Sequence, residues 1–279
     1  MAITGGIKFF SEQKNKGATA VASGLGQATV DRLLDSNRES FYRSSDSDDT
    51  TTEEIEIVFL EEKLIDRLFL IDFNGKEFNI KYDDGGSYVD FSNVKNINGD
   101  ESSINESSWS EDTYYAEFTP VTTQKIRIQI IKTQIADEEK YINQVVATEE
   151  IATLVGYPIN KEVRISRNLR STETISGKRN IQTGLETFSF KLQFKNYPSS
   201  DVYNIDIDVM MQLLDSEKPF LVWLCGGRSG KPHFNYTIKG YRLRDLLKVK
   251  IDSDYNLSYL DNIYVNPVNL ATVDFQEHN

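Results

Sequence analysis

Reactive and cross-linking side chains are scarce in this chain. It contains one cysteine, Cys225, so no disulfide can form within it. Cys225 ends the apolar run 220–225, a setting that favours a buried thiol over an exposed nucleophile. The two histidines, His233 and His278, lie far apart in the sequence, so we expect neither a histidine-based catalytic triad nor the ligand spacing of a zinc site.

Long apolar runs are missing as well. No segment approaches the roughly 20 apolar residues that a membrane-spanning helix needs, and residues 1–10 lack the apolar stretch of a signal peptide. These absences predict a chain that is made in a cytosol and stays soluble there.

The glycine-rich segment 226–232 has Pro232 where a phosphate-binding loop needs Ser or Thr, so we interpret it as a hairpin turn.

Charge is divided unevenly along the 279 residues, a length that favours two domains. Residues 1–160 carry 29 acidic and 15 basic side chains, net −14, whereas residues 161–279 carry 14 acidic and 16 basic side chains, net +2. This difference indicates two parts with separate roles. The acidic half should repel nucleic acid and anionic membranes, so we expect no nucleic acid among the partners.

Apolar and polar side chains alternate in several segments, which predicts half-buried β-strands. The alternating segments are residues 53–59, 78–82, 125–132, 188–194 and 248–252. Residues 68–73 are almost continuously apolar, as in a strand buried on both faces, and Asn74-Gly75 predicts a two-residue hairpin directly after them. Residues 83–86 predict a further turn into a strand at 88–91.

Two segments have apolar side chains at helical spacing instead. Residues 137–154 begin with three acidic side chains and predict one helix, and residues 207–214 predict a second. Gly156-Tyr157-Pro158 ends the first helix and marks the expected domain boundary. The predicted divisions are an N-terminal arm at 1–17, a β-sandwich at 18–157 that ends in a helical linker, and a second β-rich domain with one or two packed helices at 158–279.

Carboxylates cluster in two predicted turns, at residues 46–49 and 83–84. Their oxygen atoms could bind Ca²⁺, but neither turn follows the twelve-residue loop with a terminal Glu, so we interpret both as solvated turns and expect no metal site. Two carboxyl groups about 5–9.5 Å apart would also serve a glycosidase. Because sequence does not give that distance, a glycosidase is retained as a third hypothesis.

Residues 18–135 resemble the discoidin-like, galactose-binding β-sandwich in the order of their segments. The segments concerned are the small residues 18–20, residues 31–42 with Phe41-Tyr42 where that family usually has Trp, the strand 55–59, the strand and turn 78–85, and the late strand 125–128. The resemblance implies an antiparallel jelly-roll sandwich that binds carbohydrate, lipid or protein through loops at one end. It indicates residues 44–52 and 92–112 as the binding loops.

Candidate ligand-binding residues follow from that resemblance. Aromatic rings offer sugars a flat apolar surface to stack on, and an arginine donates hydrogen bonds. The candidates are therefore Tyr42, Arg43, Tyr88 and Trp109. Tyr42 and Tyr88 are of a kind more often found in the core or at the rim of a sandwich, whereas Trp109 lies in a loop too polar to supply a core for it.

The second half resembles baseplate or distal-tail proteins of bacteriophages. The segments concerned are residues 176–180, 188–194, 219–224 and 240–245. Such proteins pair ring-forming β-domains with appended carbohydrate-binding-like sandwiches. The resemblance implies that residues 161–279 contact copies of the same chain and other tail or baseplate proteins.

Together these observations predict a non-enzymatic structural component of a phage tail tip or baseplate, assembled in the host cytoplasm and located in the virion tail. Its expected partners are other tail proteins, copies of itself and host-surface carbohydrate, and no cofactor is expected. The alternative is a carbohydrate-binding module of a surface or secreted protein.

Overall fold

The chain is almost entirely β-structure in the parts that the structure describes. The computed structural model describes residues 7–23, 30–34, 40–45, 47–96, 99–154, 160–173, 179–196, 220–223, 236–238, 241–243, 246–251, 256–260 and 268–277. Side chains are described within residues 8–151 and at 220 and 221. No helix among the described residues has the length and apolar character needed to cross a membrane.

The described strands, numbered in chain order, form two large antiparallel sheets and one small hairpin. The ten-stranded sheet contains β2 (Thr19–Ala22), β3 (Tyr42–Arg43), β4 (Glu53–Phe73), β5 (Gly75–Asp83), β6 (Tyr88–Asp90), β7 (Val94–Asn96), β8 (Gly99–Glu101), β9 (Asn105–Glu106), β10 (Thr113–Thr133) and β11 (Tyr141–Thr148). The eight-stranded sheet contains β1 (Ile7–Phe10), β12 (Glu150–Leu154), β13 (Asn160–Glu173), β14 (Arg179–Asn196), β15 (Phe220–Trp223), β18 (Leu246–Ile251), β19 (Asn256–Leu260) and β20 (Val268–Glu277). The hairpin contains β16 (Tyr236–Ile238) and β17 (Tyr241–Leu243).

A long two-stranded ribbon, β4 paired with β10, organises the first of these sheets. The pairing runs from Glu53 opposite Ile130 to Ile71 opposite Thr113, and its register shifts between β10 residues 117 and 121 and between 123 and 125. At these shifts the ribbon bends over, so that its two halves lie in two facing layers. Residues 59–64 and 118–124 are called the bend below. The antiparallel β-sandwich that the sequence predicts is confirmed.

Alternating side chains of the ribbon build the sandwich core. Ile55, Ile57 and Phe59 are buried between the layers, while the residues between them are partly exposed. Fully burying a large aliphatic or aromatic side chain contributes about 1.5–3 kcal/mol relative to leaving it exposed. The predicted half-buried strand at residues 53–59 is therefore confirmed, with its apolar set facing the core.

The strand at residues 68–73 is buried on both faces, as its composition predicts. Leu68 and Leu70 belong to the sandwich core. Phe69 and Ile71 point to the opposite face. There they belong to a second apolar cluster that also contains Phe10 of β1 and Leu221 of β15. The outer face of this layer is thus covered by the eight-stranded sheet.

Asn74 and Gly75 connect the two layers, and the predicted hairpin there is wrong. β4 and β5 do not pair, because β5 pairs with β10, β6 and β9. The Asn74 amide instead donates from Nδ2 to the carbonyl oxygen of Glu139 over 2.8 Å and accepts from the Tyr141 amide over 2.9 Å. A Cβ on Gly75 would overlap the ring of Phe73. These contacts fix a crossover where an Asn-Gly pair ordinarily favours a tight hairpin.

The helix predicted for residues 137–154 is also wrong, because β11 and β12 occupy this stretch. On β11, Val145 and Ala147 enter the sandwich core, while Val146 enters the cluster on the outer face. A strand buried on both faces carries apolar residues at almost every position, so helical spacing arises in it by chance. Within its described residues, 137–154, the predicted helical linker is replaced by strands. The predicted helix at 207–214, the glycine-rich turn at 226–232, Cys225 and both histidines lie outside the described residues.

The N-terminal segment, predicted as an arm at 1–17, contributes an inner strand, β1, to the eight-stranded sheet. β1 pairs with β12 on one side and with β15 on the other. Its Lys8 is 3% exposed, and its ammonium contacts Glu117 at 2.6 Å and Glu150 at 3.2 Å. Arg67 also binds Glu150, at 2.7 Å. Buried ions need such partners, since removal from water costs several kcal/mol per ion.

Substituting Gly75 should test the crossover geometry. We expect Gly75→Ala to lower the free energy of unfolding by about 3 kcal/mol, since the new methyl group overlaps the Phe73 ring. Gly85→Ala is the control: Gly85 has φ +66 and open space around its Cβ position, so only backbone strain of about 1 kcal/mol applies. Urea unfolding measures both. Equal losses in the two variants would contradict the close approach.

Removing the Lys8 ammonium should loosen the contact between the two sheets. Lys8→Met keeps the apolar stem but removes the positive charge that compensates Glu117 and Glu150. We therefore expect the free energy of unfolding, measured by thermal or urea unfolding, to fall by about 3 kcal/mol. Lys16→Met removes an exposed ammonium paired with Glu12 and should cost less than about 1 kcal/mol. A Lys8 variant as stable as the Lys16 variant would disprove the role of the buried network.

Candidate ligand-binding surface

Both ends of the ribbon meet at one end of the sandwich. Thr133, the last residue of β10, pairs with Gly75 at the start of β5. The Phe73 amide at the end of β4 donates to the Asp112 carbonyl oxygen just before β10, over 2.7 Å. Loops 44–52, 107–112 and 134–140 emerge here, and this region is called the loop end below.

Hydrogen bonds pin the loops to one another. The Ser44 amide donates to the Lys140 carbonyl oxygen over 2.8 Å, and the Lys140 amide donates back to the Ser44 hydroxyl over 2.9 Å. The Lys140 side chain is 1% exposed and donates to the Asp48 carbonyl oxygen over 2.9 Å. Gln134 joins loop 134–140 to loop 107–112 by donating to the Glu111 carbonyl oxygen over 2.8 Å. The loop end is therefore a fixed frame.

Asp49 ties the first loop to the end of β10. Its carboxylate accepts from the Thr133 amide over 3.0 Å and from the Thr133 hydroxyl over 2.9 Å. Burial is the largest effect and raises the pKa of Asp49, but the bonds from Thr133, the Asp137 amide and the Lys140 charge outweigh it and hold the pKa below its ordinary value. Asp49 is thus bound in its ionised form.

Asp48 and Asp83 each accept hydrogen bonds within their own turn. Asp48 accepts from the Thr50 amide over 2.7 Å and from the Thr50 hydroxyl over 2.6 Å. Asp83 accepts from the Gly86 amide over 2.8 Å, and β5 and β6 pair on either side, which confirms the predicted turn at 83–86. Within the described residues, no three His, Cys, Asp or Glu side chains converge as metal ligands would.

Tyr42, a predicted ligand-binding residue, lies in the sandwich core. Its ring is fully buried, and its hydroxyl donates to Glu53 over 2.6 Å. Burial, followed by the bond to Glu53, raises the pKa of Tyr42 well above its ordinary value. Its ring offers no surface to a sugar.

Trp109 is buried too, against the expectation that its polar loop could not bury it. It is 3% exposed, and its ring packs edge-on against Phe78 at 6.4 Å and Tyr114 at 4.9 Å between centroids. The loop folds inward because the Trp109 amide donates to the Lys76 carbonyl oxygen over 2.9 Å. The core that receives Trp109 comes from distant strands, which local composition does not reveal.

Tyr88 is partly exposed but lies away from the loop end, on the face formed by β4, β5, β6 and β10. Its ring lies 3.7 Å from the Arg127 guanidinium, and its hydroxyl donates to Glu56. Burial and the bond to Glu56 raise the pKa of Tyr88 to about 12. The Arg127 guanidinium already stacks on this ring.

Arg43 is the predicted residue that the structure places on an exposed aromatic surface near the loop end. Its guanidinium lies 5.7 Å from the Phe41 ring centroid and 5.5 Å from that of Tyr141. The two rings meet edge to face at 5.9 Å, and both residues are partly exposed. Glu139 lies 3.4 Å from Arg43, with both side chains about half exposed. Phe41, Arg43, Glu139 and Tyr141 are together called the aromatic–arginine surface.

Strand geometry explains why these side chains meet. Along β3, Tyr42 points into the core, so Phe41 and Arg43 share the opposite face. Arg43 pairs directly with Tyr141 on β11, which brings the second ring beside it. The alternation alone could have identified Phe41 in place of Tyr42. Tyr141 was missed because its segment was predicted to be helical.

Charged side chains affect the pKa of the Tyr141 hydroxyl. Burial raises the pKa of Tyr141, and the carboxylates of Glu138, Asp72 and Asp112 raise it further, while Arg43 opposes them. The hydroxyl therefore stays protonated at neutral pH and can donate a hydrogen bond to a ligand. Asp72 adopts a left-handed backbone conformation, with φ +46, at the end of β4.

Comparison with known proteins gives distant structural similarities. No protein family matches the sequence, and no curated protein matches it either. Among solved structures, the chain is similar to a chitosan-binding module of a chitosanase/glucanase from Paenibacillus sp. IK-5, with 13% identity, 49% of this chain, 98% of that chain and TM-score 0.40. It is similar to a pectin-binding carbohydrate-binding module, with 16% identity, 46% of this chain, 88% of that chain and TM-score 0.35. It is also similar to an α-L-fucosidase from Bacteroides thetaiotaomicron, with 13% identity, 53% of this chain, 30% of that chain and TM-score 0.43.

Acid should weaken the loop end through Asp49. The pKa of Asp49 is lowered in the folded chain. The contribution of Asp49 to the free energy of unfolding is therefore complete above its ordinary pKa of 3.8 and is lost as the pH falls through the lowered pKa of the folded chain. We expect Asp49→Asn to cost about 0.5–1 kcal/mol at neutral pH, and the difference between the variant and the native chain to shrink as the pH falls below 3.8. Thermal unfolding across pH measures this. Asp84→Asn, in an exposed turn, is the control, and a pH-independent Asp49 effect would contradict the assignment.

Proposed function

We propose that this chain is a non-catalytic carbohydrate-binding protein whose sandwich binds glycan at the aromatic–arginine surface. The observation that carries the proposal is the grouping of two partly exposed rings, Phe41 and Tyr141, around the exposed guanidinium of Arg43. Aromatic rings stack on the apolar faces of sugars, and a guanidinium donates several hydrogen bonds to hydroxyl groups.

The surface is held in place before a ligand arrives. Arg43 is fixed by the pairing of β3 with β11 and by its ion pair with Glu139. Tyr141 is fixed by the two hydrogen bonds that join its backbone to Asn74, since its amide donates to Oδ1 and its carbonyl oxygen accepts from the Asn74 amide. A fixed arrangement lowers the entropic cost of binding. The surface thus supports recognition of an extended glycan without rearrangement of the loops.

The resemblance to the discoidin-like sandwich agrees with this location, since binding loops there lie at one end. Of the four residues predicted from that resemblance, Arg43 lies on the proposed surface. Tyr42 and Trp109 are buried, so their rings have no exposed face on which a sugar could stack. The role proposed for the aromatic residues therefore passes to Phe41 and Tyr141.

The role in a phage tail or baseplate remains a prediction, as does a location in the virion. Apart from Phe220 and Leu221, the segments that carry that resemblance have no described side chains, so their contacts are not part of the proposal. Self-association, which that role requires, can be measured by light scattering of the purified chain. A strictly monomeric chain that is absent from virions would disprove the assembly role and leave the glycan-binding proposal unaffected.

Removing either ring should reduce glycan binding. We expect Tyr141→Ala and Phe41→Ala each to weaken binding about two- to tenfold, since one aromatic contact contributes about 0.5–1.5 kcal/mol beyond the area it buries. Isothermal titration against a panel of soluble oligosaccharides, including chitosan and pectin fragments, measures the change.

Tyr88→Ala is the matched control, because it removes a partly exposed tyrosine from a face away from the loop end. It should leave affinity unchanged. Equal effects of the Tyr88 and Tyr141 variants, or no binding of any glycan by the native chain, would overturn the proposal. Thermal unfolding of each variant separates lost binding from lost folding.

A further inference from the structure

We propose that the aromatic–arginine surface binds one sugar residue at a time, so that Phe41 and Tyr141 both contact the same residue of a glycan. This inference rests on the proposed function, because it concerns the ligand of the same surface. It is drawn from the angle between the two rings, which decides how many sugar residues can stack on them together.

The two rings stand almost perpendicular to each other. The planes of Phe41 and Tyr141 make an angle of 84°, and their centroids are 5.9 Å apart. At this distance and angle the edge of one ring packs against the face of the other. The Arg43 guanidinium lies at cation–π distance from both centroids, 5.7 Å and 5.5 Å away. The three groups therefore form one compact cluster and not a row of separate rings.

Perpendicular rings do not make a platform for successive sugars. A sugar stacks by placing an apolar face parallel to an aromatic ring. Successive residues of an extended glycan present faces that are nearly parallel to one another. Two rings that stack on two such residues must themselves be nearly coplanar and must stand apart by the length of a sugar residue. The angle of 84° and the contact between Phe41 and Tyr141 exclude that arrangement.

The same geometry lets both rings contact a single sugar. The ring that contributes its edge stands upright on the face of the other ring. A sugar that stacks on the upright ring therefore meets the second ring with its rim. Phe41 and Tyr141 are each only partly exposed, so the aromatic area open to a ligand is smaller than that of two separate rings. One sugar residue matches an area of this size.

The polar groups of the surface lie within reach of the same sugar. Arg43 pairs directly with Tyr141 across β3 and β11, and the Glu139 carboxylate lies 3.4 Å from the guanidinium. A guanidinium donates hydrogen bonds and a carboxylate accepts them, and a sugar hydroxyl can serve both. The side-chain amide of Asn74 holds the backbone of Glu139 and Tyr141 in place. Stacking and hydrogen bonding therefore act on one residue.

An extended glycan is then held by one of its residues, whatever its length. Lengthening the glycan adds only the statistical advantage of offering more residues to one site. On a platform of two rings, by contrast, a second stacked residue would strengthen binding about two- to tenfold beyond that statistical advantage. The dependence of affinity on chain length therefore distinguishes the two arrangements.

Nuclear magnetic resonance titration of the full chain measures this dependence, since it detects weak binding. The probes are glucosamine and galacturonic acid, each as the monosaccharide and as the hexasaccharide. In any series that binds, we expect the monosaccharide to bind by itself. We expect the hexasaccharide to bind no more than about sixfold more tightly, which is the statistical advantage of six residues.

Two ring variants give a second readout. Phe41→Leu and Tyr141→Leu each remove one flat ring and keep an apolar side chain in its place. If both rings contact the same residue, each variant weakens the monosaccharide and the hexasaccharide by the same factor, about two- to tenfold. On a platform, either variant would weaken the hexasaccharide by that factor and leave the monosaccharide one intact ring.

Tyr88→Leu is the matched control, because it removes a partly exposed tyrosine ring away from the loop end. It should change neither affinity. Thermal unfolding shows whether each variant is folded. The comparison of monosaccharide with hexasaccharide uses the native chain, so it decides the question even where a variant is unstable.

The possible outcomes separate the inference from the proposed function. A hexasaccharide that binds more than about tenfold more tightly than its monosaccharide, or losses in both variants that are confined to the hexasaccharide, would overturn the inference while the proposed function stands. Equal losses for both ligands support the inference. If the native chain binds neither series and no other glycan, the proposed function fails first.

Discussion

The continuous pairing of β4 with β10 is the constraint on which the rest of the sandwich depends. Because the ribbon bends at residues 59–64 and 118–124, one pair of strands supplies both layers, and their alternating side chains fill a single core. The same bend returns both ends of the ribbon to one place, where Phe73 bonds to the residue preceding β10. The loop end exists because of this closure, since its loops connect strands that the ribbon has already brought together.

A second constraint acts on the outer face of the same ribbon. The segment 68–73 has one face in the core and the other against Phe10 and Leu221, so the eight-stranded sheet covers what would otherwise be an exposed apolar layer. Lys8 adds charge compensation at this contact, where Glu117 and Glu150 are nearly buried. The N-terminal strand thus stabilises a structure built mainly from residues far along the chain.

Sequence predicted the strands whose side chains alternate between core and solvent, and also the almost continuously apolar strand at 68–73. The alternation at 53–59 shows the first kind, whereas β11, within 137–154, is buried on both faces and lacks the period-two signal that distinguishes a strand from a helix. Trp109 shows the same limit for a side chain, because its neighbours Phe78 and Tyr114 come from other strands. By contrast, the outward position of Phe41 could have been predicted from the sequence, because Phe41 is adjacent to a core tyrosine and successive strand residues face opposite sides.

One strand, β11, connects the aromatic–arginine surface with the apolar cluster beneath the eight-stranded sheet. Its first residue, Tyr141, lies on the aromatic–arginine surface, and Val146 packs in the cluster shared with the eight-stranded sheet. A ligand at Tyr141 is therefore attached to that sheet through a few residues of extended backbone with little freedom to bend. If several copies of the chain were linked, each would present its surface in a fixed position relative to its own eight-stranded sheet. Weak binding by each surface would then suffice, because linked sites strengthen one another through effective concentration.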